Sequence, residues 1–173
     1  MNLRKRTSPL VVFVLIVAVA ATVALLLPAY RGATPADLRF VLLDGRTPTL
    51  AELRGRPALI AFWATSCAPC VEEVPDLIAL YRQFAPQGLE LIAVAMPFDS
   101  PLHVQTFVKE KQLPYPVALD VDGAVVRAFD GVSFIPAAVL MDPDGRIVYR
   151  QQGKLDIDRA RRLIASLLPK PPG

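Results

Sequence analysis

Hydrophobic and polar positions follow one pattern in the first thirty residues and another in the rest of the chain. Leu10 to Leu27 is an apolar run of 18 residues interrupted only by Thr22. From residue 38 onward, short apolar runs alternate with stretches of helical spacing. Arg39–Leu43 predicts a short strand closed by an Asp44-Gly45 turn, and Leu50–Leu53 a helical turn. Pro57–Ala64 (PALIAFWA) is a continuous apolar stretch of the kind buried on both faces of a sheet. Residues 68–85 predict a helix with Val74, Leu77, Ile78, Tyr81 and Phe84 on its inner face. Leu89–Met96 predicts a second buried strand, 101–112 an amphipathic helix, Pro116–Leu119 a short strand and Ala124–Phe129 a brief helix. Ala137–Asp142 and Arg146–Gln151 predict a hairpin across Asp144-Gly145. Asp156 predicts the cap of a last helix that turns Ile157, Ala160, Ile164, Leu167 and Leu168 inward. Strands alternating with helices and closing on a hairpin and a helix describe an α/β sandwich around a mixed sheet.

The apolar run asks for a different solvent. Eighteen helical residues span about 27 Å, close to the hydrocarbon thickness of a bilayer. Arg4-Lys5-Arg6 precede the run and place the N-terminus in the cytoplasm. A cleaved signal peptide has a shorter apolar core and a small-x-small site, which Pro28-Ala29-Tyr30-Arg31-Gly32-Ala33 does not offer cleanly. The expected organisation is a cytoplasmic basic segment 1–9, a transmembrane signal anchor 10–27, a linker 28–37, one domain 38–169 and a flexible tail 170–173. That places the domain on the periplasmic side of the inner membrane, or its equivalent, where cysteines can persist as a disulfide.

Composition supports the division. Over 173 residues the chain carries 19 Lys+Arg against 16 Asp+Glu, a mean hydropathy of +0.40 and an isoelectric point near 9.1. Four basic groups and no acid precede residue 33, so removing those four leaves 15 basic against 16 acidic groups beyond it. The basic character belongs to the N-terminus, and nucleic acid loses its main argument as a partner. A hydrophobic fraction of 53% excludes disorder.

Both cysteines stand in one CxxC, Cys67-Ala68-Pro69-Cys70, directly after a buried strand and at the start of a helix. There the first backbone N–H groups lack intrahelical partners, and the helix dipole favours a negative charge. Cys67 is accordingly the attacking thiolate and Cys70, one turn inward, the resolving thiol. Pro69 falls in the first turn, where its missing N–H costs little. A structural disulfide would close only a tiny loop and constrain the unfolded chain weakly. A zinc site needs two more ligands, and only His103 is on offer. No organic cofactor is implied, because the dithiol itself carries the electrons.

At this point the residues resemble a family. Phe62-Trp63-Ala64-Thr65-Ser66-Cys67-Ala68-Pro69-Cys70 is similar to the active-site segment of thioredoxin-fold proteins, and most to the membrane-anchored TlpA/ResA/CcmG-like thiol–disulfide oxidoreductases. The similarity covers about residues 36–168. It implies a thioredoxin-like fold with an N-terminal hairpin extension and a helix–strand insertion between the strands at 89–96 and 137–142. Pro75, five residues after Cys70, stands where thioredoxins kink this helix; an interior proline frees the Val71 carbonyl and bends the axis. Gly131-Val132-Ser133-Phe134-Ile135-Pro136 resembles the family's cis-proline loop. The resemblance implies that Pro136 is cis and faces the CxxC, and that the Ile135 backbone pairs with an extended client segment; Trp63 is placed with them as a substrate-binding residue.

Two departures stand out. Ser66 replaces the tryptophan usual before the first Cys, and Ala61 stands where thioredoxins proper carry a buried aspartate. Glu73 matches a functional glutamate of ResA-like members and is the candidate proton acceptor for the resolving thiol; a solvated first-turn glutamate is the simpler alternative. The resemblance implies an enzyme that reduces disulfides in client proteins, such as apocytochrome c or copper-site cysteines, with electrons from a membrane donor. A disulfide oxidase or isomerase, a copper-binding chaperone using the same two cysteines, and a non-catalytic interaction module are the alternatives. Several other signals are read as structural. His103 reads as a surface residue, Asp120-x-Asp122-Gly123 and Asp142-x-Asp144-Gly145 as turns lacking the later ligands of a calcium loop, and Arg159, Arg161 and Arg162 as a solvated face. A peroxiredoxin would place Pro and Thr at fixed positions before its nucleophile, and no proline precedes Cys67 at that point.

Overall fold

Six consecutive apolar residues form β1 (Ala58–Trp63), and every one of them is buried. Alternate side chains leave a strand on opposite faces, so β1 feeds two cores. Leu59, Ala61 and Trp63 enter one cluster, while Ala58, Ile60 and Phe62 enter the other. β2 (Glu90–Ala95) lies parallel to β1, with Ala58 beside Glu90 and Trp63 beside Ala95. β3 (Val117–Leu119) continues the parallel side. On the other flank β4 (Ala137–Met141) runs antiparallel to β1, and β5 (Ile147–Gln152) antiparallel to β4. The order β3-β2-β1-β4-β5 makes a mixed sheet with β1 at its centre.

The computed structural model describes Leu15, residues 37–129 and residues 132–169. Its chain divides into two units, Met1–Thr34 and Pro35–Gly173. The expected basic segment 1–9, the anchor 10–27 apart from Leu15, the linker 28–37 apart from Asp37, and the tail 170–173 lie outside the described residues. No helix among the described residues is long and apolar enough to cross a membrane.

In the second unit, α1 (Ala68–Phe84), α2 (Pro101–Lys111) and α4 (Ile157–Leu167) contribute to the first cluster, through Leu77, Leu80 and Phe84, Val104, and Ala160 and Ile164 respectively. The lead-in segment 38–53 and the short α3 (Ala124–Ala128) contribute to the second, through Phe40, Leu42, Leu50, Leu53 and Val125. Each fully buried large side chain of this kind stabilises the fold by about 1.5–3 kcal/mol. Asp156 caps α4 as expected, its Oδ1 accepting the Arg159 N–H at 2.9 Å. Asp120 accepts the N–H groups of Val125 (2.9 Å) and Val126 (2.8 Å), so it is the turn residue that starts α3.

Two expectations shift. Arg39–Leu43 is not a continuous strand: it makes isolated bridges, Arg39 with Thr49 and Leu42 with Ala118. The turn chemistry stops the ladder, because Asp44 takes the Arg46 N–H and Pro48 has none to give, which leaves Phe40 and Leu42 with one cross-strand bond each, to the Pro48 and Arg46 carbonyls. The inner face of α1 is rotated from the apolar face expected. Cys70, Glu73, Val74, Leu77, Leu80 and Phe84 are buried, while Ile78 and Tyr81 are half-buried. A charged residue belongs to this stripe, which a search for apolar spacing alone passes over.

Candidate active site

β1 ends at Trp63 and the chain turns at once: the Cys67 N–H donates to the Ala64 carbonyl at 3.1 Å. α1 starts immediately, the Val71 N–H donating to the Cys67 carbonyl at 3.1 Å. Cys67 is thus the N-cap of α1, and its Sγ accepts the Cys70 N–H at 3.3 Å. The two sulfurs form a disulfide, 2.08 Å long with Cα atoms 5.2 Å apart. Access is graded: Ser66, Ala68 and Pro69 are exposed, Cys67 is half-buried and Cys70 only 2% exposed. A partner sulfur arriving from solvent therefore meets Cys67 first. On reduction, a Cys67 thiolate would sit where the free N–H groups and dipole of α1 favour negative charge.

The second loop comes from the antiparallel flank. Phe62 pairs with Ala137, which sets Pro136 across from Trp63 at the same end of the sheet as the CxxC. The Ile135–Pro136 peptide bond is cis, as the resemblance implied. Pro136 is buried and its carbonyl accepts the Gly153 N–H at 2.8 Å, while Phe134 just before it is 56% exposed. Ile135 is half-buried and packs against both core clusters.

Trp63 does not face a client. It is 5% exposed, its ring centroid 5.1 Å from that of Phe107 on α2, and its indole Nε1 is buried without a hydrogen-bond partner. Trp63 follows Leu59 and Ala61 onto the face of the first cluster, and neither face of β1 is open to solvent.

Glu73 is not a solvated first-turn acid. It is 4% exposed, one turn beyond Cys70 on the same buried stripe, and its Oε1 accepts the Leu155 N–H at 2.5 Å. Burial pushes its carboxyl above the ordinary 4.5; the Leu155 N–H and Lys154 oppose the rise, and Asp76 adds to it. Burial, together with the Glu73 charge, also holds the Tyr115 hydroxyl well above its usual range. Ala61, where thioredoxins carry an acid, is buried too; among the described residues the buried carboxyls are Glu73 and Asp120, and Glu73 is the one on the helix that carries Cys70.

His103 is exposed on α2, and among the described residues no group of three or more His, Cys, Asp or Glu side chains is placed to hold a metal. The arginines of α4 are not merely solvated: Arg159 stacks over the Tyr149 ring at 4.9 Å, and Arg161 donates to Gln83 of α1. A contact that sequence reasoning missed joins Thr65 to Asp99 beside the CxxC, across 34 residues. Asp99 stands just before a Ser-Pro helix start, a place that reads locally as a cap.

Comparison with known proteins is consistent with this geometry. Residues 33–150 match the profile of the AhpC/TSA family. The thiol–disulfide oxidoreductase ResA of Bacillus subtilis is 38% identical over 111 residues, covering 63% of this chain and 61% of that protein. ResA of Geobacillus thermodenitrificans is 30% identical over 138 residues, covering 80% and 78%. Among solved structures, a thiol:disulfide interchange protein of the thioredoxin family from Chlorobium tepidum superposes with a TM-score of 0.69 at 26% identity, covering 80% of this chain and 98% of that one.

Proposed function

The chain belongs to the AhpC/TSA family, among its TlpA/ResA-like members of thioredoxin-like fold, and from that premise we propose how its thiol–disulfide oxidoreductase activity is used. It reduces disulfides in client proteins outside the cytoplasm, tethered to the inner membrane through residues 10–27. The observation that carries this reading is the placement of the pair: half-buried Cys67 caps α1 over buried Cys70, with the Pro136 loop at the same sheet end.

In the forward direction the reduced Cys67 thiolate attacks one client sulfur, forming the mixed disulfide and releasing the other client sulfur as a thiolate. Cys70 loses its proton to Glu73 and attacks the Cys67 sulfur. That breaks the mixed bond, releases the second client thiolate and leaves Cys67–Cys70 oxidised, two electrons having passed to the client. A membrane dithiol donor restores the pair. The extended client segment lies along the Ile135 backbone beside Pro136 as a short added strand. Apocytochrome c or the cysteines of a copper site are the clients that the resemblance suggests.

The test is trapping. Cys70→Ser in the full chain should accumulate mixed disulfides through Cys67, seen as adducts on non-reducing gels that Cys67→Ser abolishes. No adducts while the wild type turns over would overturn the assigned roles. A redox titration of the wild type fixes direction: a potential below that of the client supports reduction, and one above it makes the same site an oxidase.

A further inference from the structure

Two four-residue turns meet at the carboxyl ends of the parallel neighbours β1 and β2. In the first, the Cys67 N–H donates to the Ala64 carbonyl; in the second, the Asp99 N–H donates to the Met96 carbonyl at 2.9 Å. The Met96 N–H also donates to the Trp63 carbonyl at 2.9 Å, so the turns leave the sheet side by side. Thr65 then gives both of its donors to one carboxylate. Its backbone N–H reaches Asp99 Oδ2 at 2.6 Å and its hydroxyl reaches Oδ1 at 2.7 Å. Paired bonds to a charged acceptor are the stronger kind, and they fix orientation as well as distance.

The commitment of Asp99 is informative because a local use was available. Asp99 directly precedes Ser100, the N-cap of α2, and a carboxylate there would ordinarily serve the helix start. α2 has no side-chain cap bond, and the carboxylate reaches back instead to the loop that carries the CxxC.

We infer that Asp99 is a positioning residue for Cys67, acting through Thr65. Thr65 is the second residue of the Ala64–Cys67 turn. Holding its N–H and hydroxyl fixes the direction in which the chain enters exposed Ser66 and then Cys67. Cys67 benefits from the α1 N-terminus only while its sulfur stays over the first turn, because the dipole effect fades within that turn. Ser66 is too small to brace the loop by packing, so the clamp behind it supplies the rigidity. The inference rests on the proposal that Cys67 is the attacking thiol.

Charge and position act in opposite directions here, which makes the inference testable. A carboxylate near a thiolate disfavours it. If Asp99 acted by charge alone, removing that charge would lower the Cys67 pKa and speed its reactions. If Asp99 acts by position, removing it raises the pKa and slows them. The experiment measures iodoacetamide alkylation against pH in the Cys70→Ser background, so that Cys67 alone reports, and disulfide-peptide reduction with the intact pair. The full chain is compared with Asp99→Ala, Thr65→Val, the double variant and Thr65→Ser. Asp99→Ala removes both acceptors and should slow alkylation at neutral pH by about tenfold and raise the Cys67 pKa, and Thr65→Val, which loses only the hydroxyl bond, should shift both in the same direction by less. The double variant should be no slower than Asp99→Ala alone, because Thr65→Val removes a bond that Asp99→Ala has already removed. Thr65→Ser keeps both donors and should keep the rate. Faster alkylation in Asp99→Ala overturns the inference, and so does a lower melting temperature with unchanged Cys67 kinetics. Wild-type Cys67 without exchange activity overturns the functional proposal together with the inference; active wild type with unchanged variants overturns the inference alone.

Discussion

Replacing Glu73 separates two contributions that its buried carboxyl combines. Glu73→Gln leaves an oxygen to accept the Leu155 N–H but cannot ionise, whereas Glu73→Ala removes both acceptor and charge. Burial raises the folded-state pKa above the ordinary 4.5, so between those two values the folded protein holds a proton that the unfolded chain has released. The stability contributed by the protonated carboxyl is full below the ordinary value and is lost as pH rises through the raised one. Glu73→Gln has no such loss. It should match the wild type near pH 4 and exceed it in unfolding free energy at pH 8.

Glu73→Ala adds the cost of a buried Leu155 N–H without a partner, about 1–3 kcal/mol, and of buried side-chain carbon lost from the stripe, about 0.8 kcal/mol per methylene. It should fall below Glu73→Gln by about 2–4 kcal/mol at both pH values, or roughly 5–15 °C in melting temperature for a domain of this size. Guanidinium unfolding of the oxidised protein at pH 4 and pH 8 reads both effects. A Gln-to-wild-type gap that stays constant with pH would refute the raised carboxyl, and equality of Ala and Gln would refute the Leu155 contact. The same variant checks the proton-acceptor role: Glu73→Gln should slow the resolution of mixed disulfide while leaving Cys67 alkylation unchanged.

Leu80→Ala tests the rotated face of α1. Leu80 is fully buried, so its truncation should cost about 2–5 kcal/mol in guanidinium unfolding, and clearly more than Ile78→Ala at the half-buried position; the reverse order would restore the apolar face expected from spacing. Asp120→Ala removes the acceptor of two backbone N–H groups at the start of α3 and should cost about 1–3 kcal/mol. Exposed Asp122→Ala should cost well under that, and millimolar calcium should leave the wild-type melting temperature unchanged. A calcium-dependent rise would show that the two aspartates bind an ion rather than shape a turn.

The fold was legible wherever local chemistry and burial pointed the same way. The six-residue apolar run of β1 could be buried on both faces only inside a sheet, and Asp156 could cap only a helix that followed it. Helix and strand limits moved by a residue or two, as fraying ends do. Legibility failed where side chains competed for backbone donors. In 39–49 the hydrophobic pattern suits a strand, yet Asp44 takes the Arg46 N–H that a ladder would need and Pro48 brings none. Periodicity reports which side chains are apolar, and it does not report which donors have already been spent.

The site divides along the same line. Cys67 and Cys70 were readable because their chemistry depends on a neighbouring strand end and helix start, both local in sequence. Glu73 and Thr65 depend on partners far along the chain: Leu155 lies 82 residues beyond Glu73, and Asp99 lies 34 beyond Thr65. In each case the local reading is a cap or a solvated turn, and burial reverses it. At Glu73 burial makes a first-turn acid into a carboxyl that holds its proton more strongly, tied to the approach of α4. At Asp99 the helix it precedes goes without a side-chain cap, and the carboxylate serves the redox loop instead. Both contacts join α1 or its leading turn to a segment contributed later in the chain. The dithiol is therefore supported from two sides, by α4 through Glu73 and by the β2–α2 turn through Thr65. The two sides fail differently: loss of the Glu73 carboxyl changes how stability varies with pH, whereas loss of the Asp99 contact changes the reactivity of Cys67.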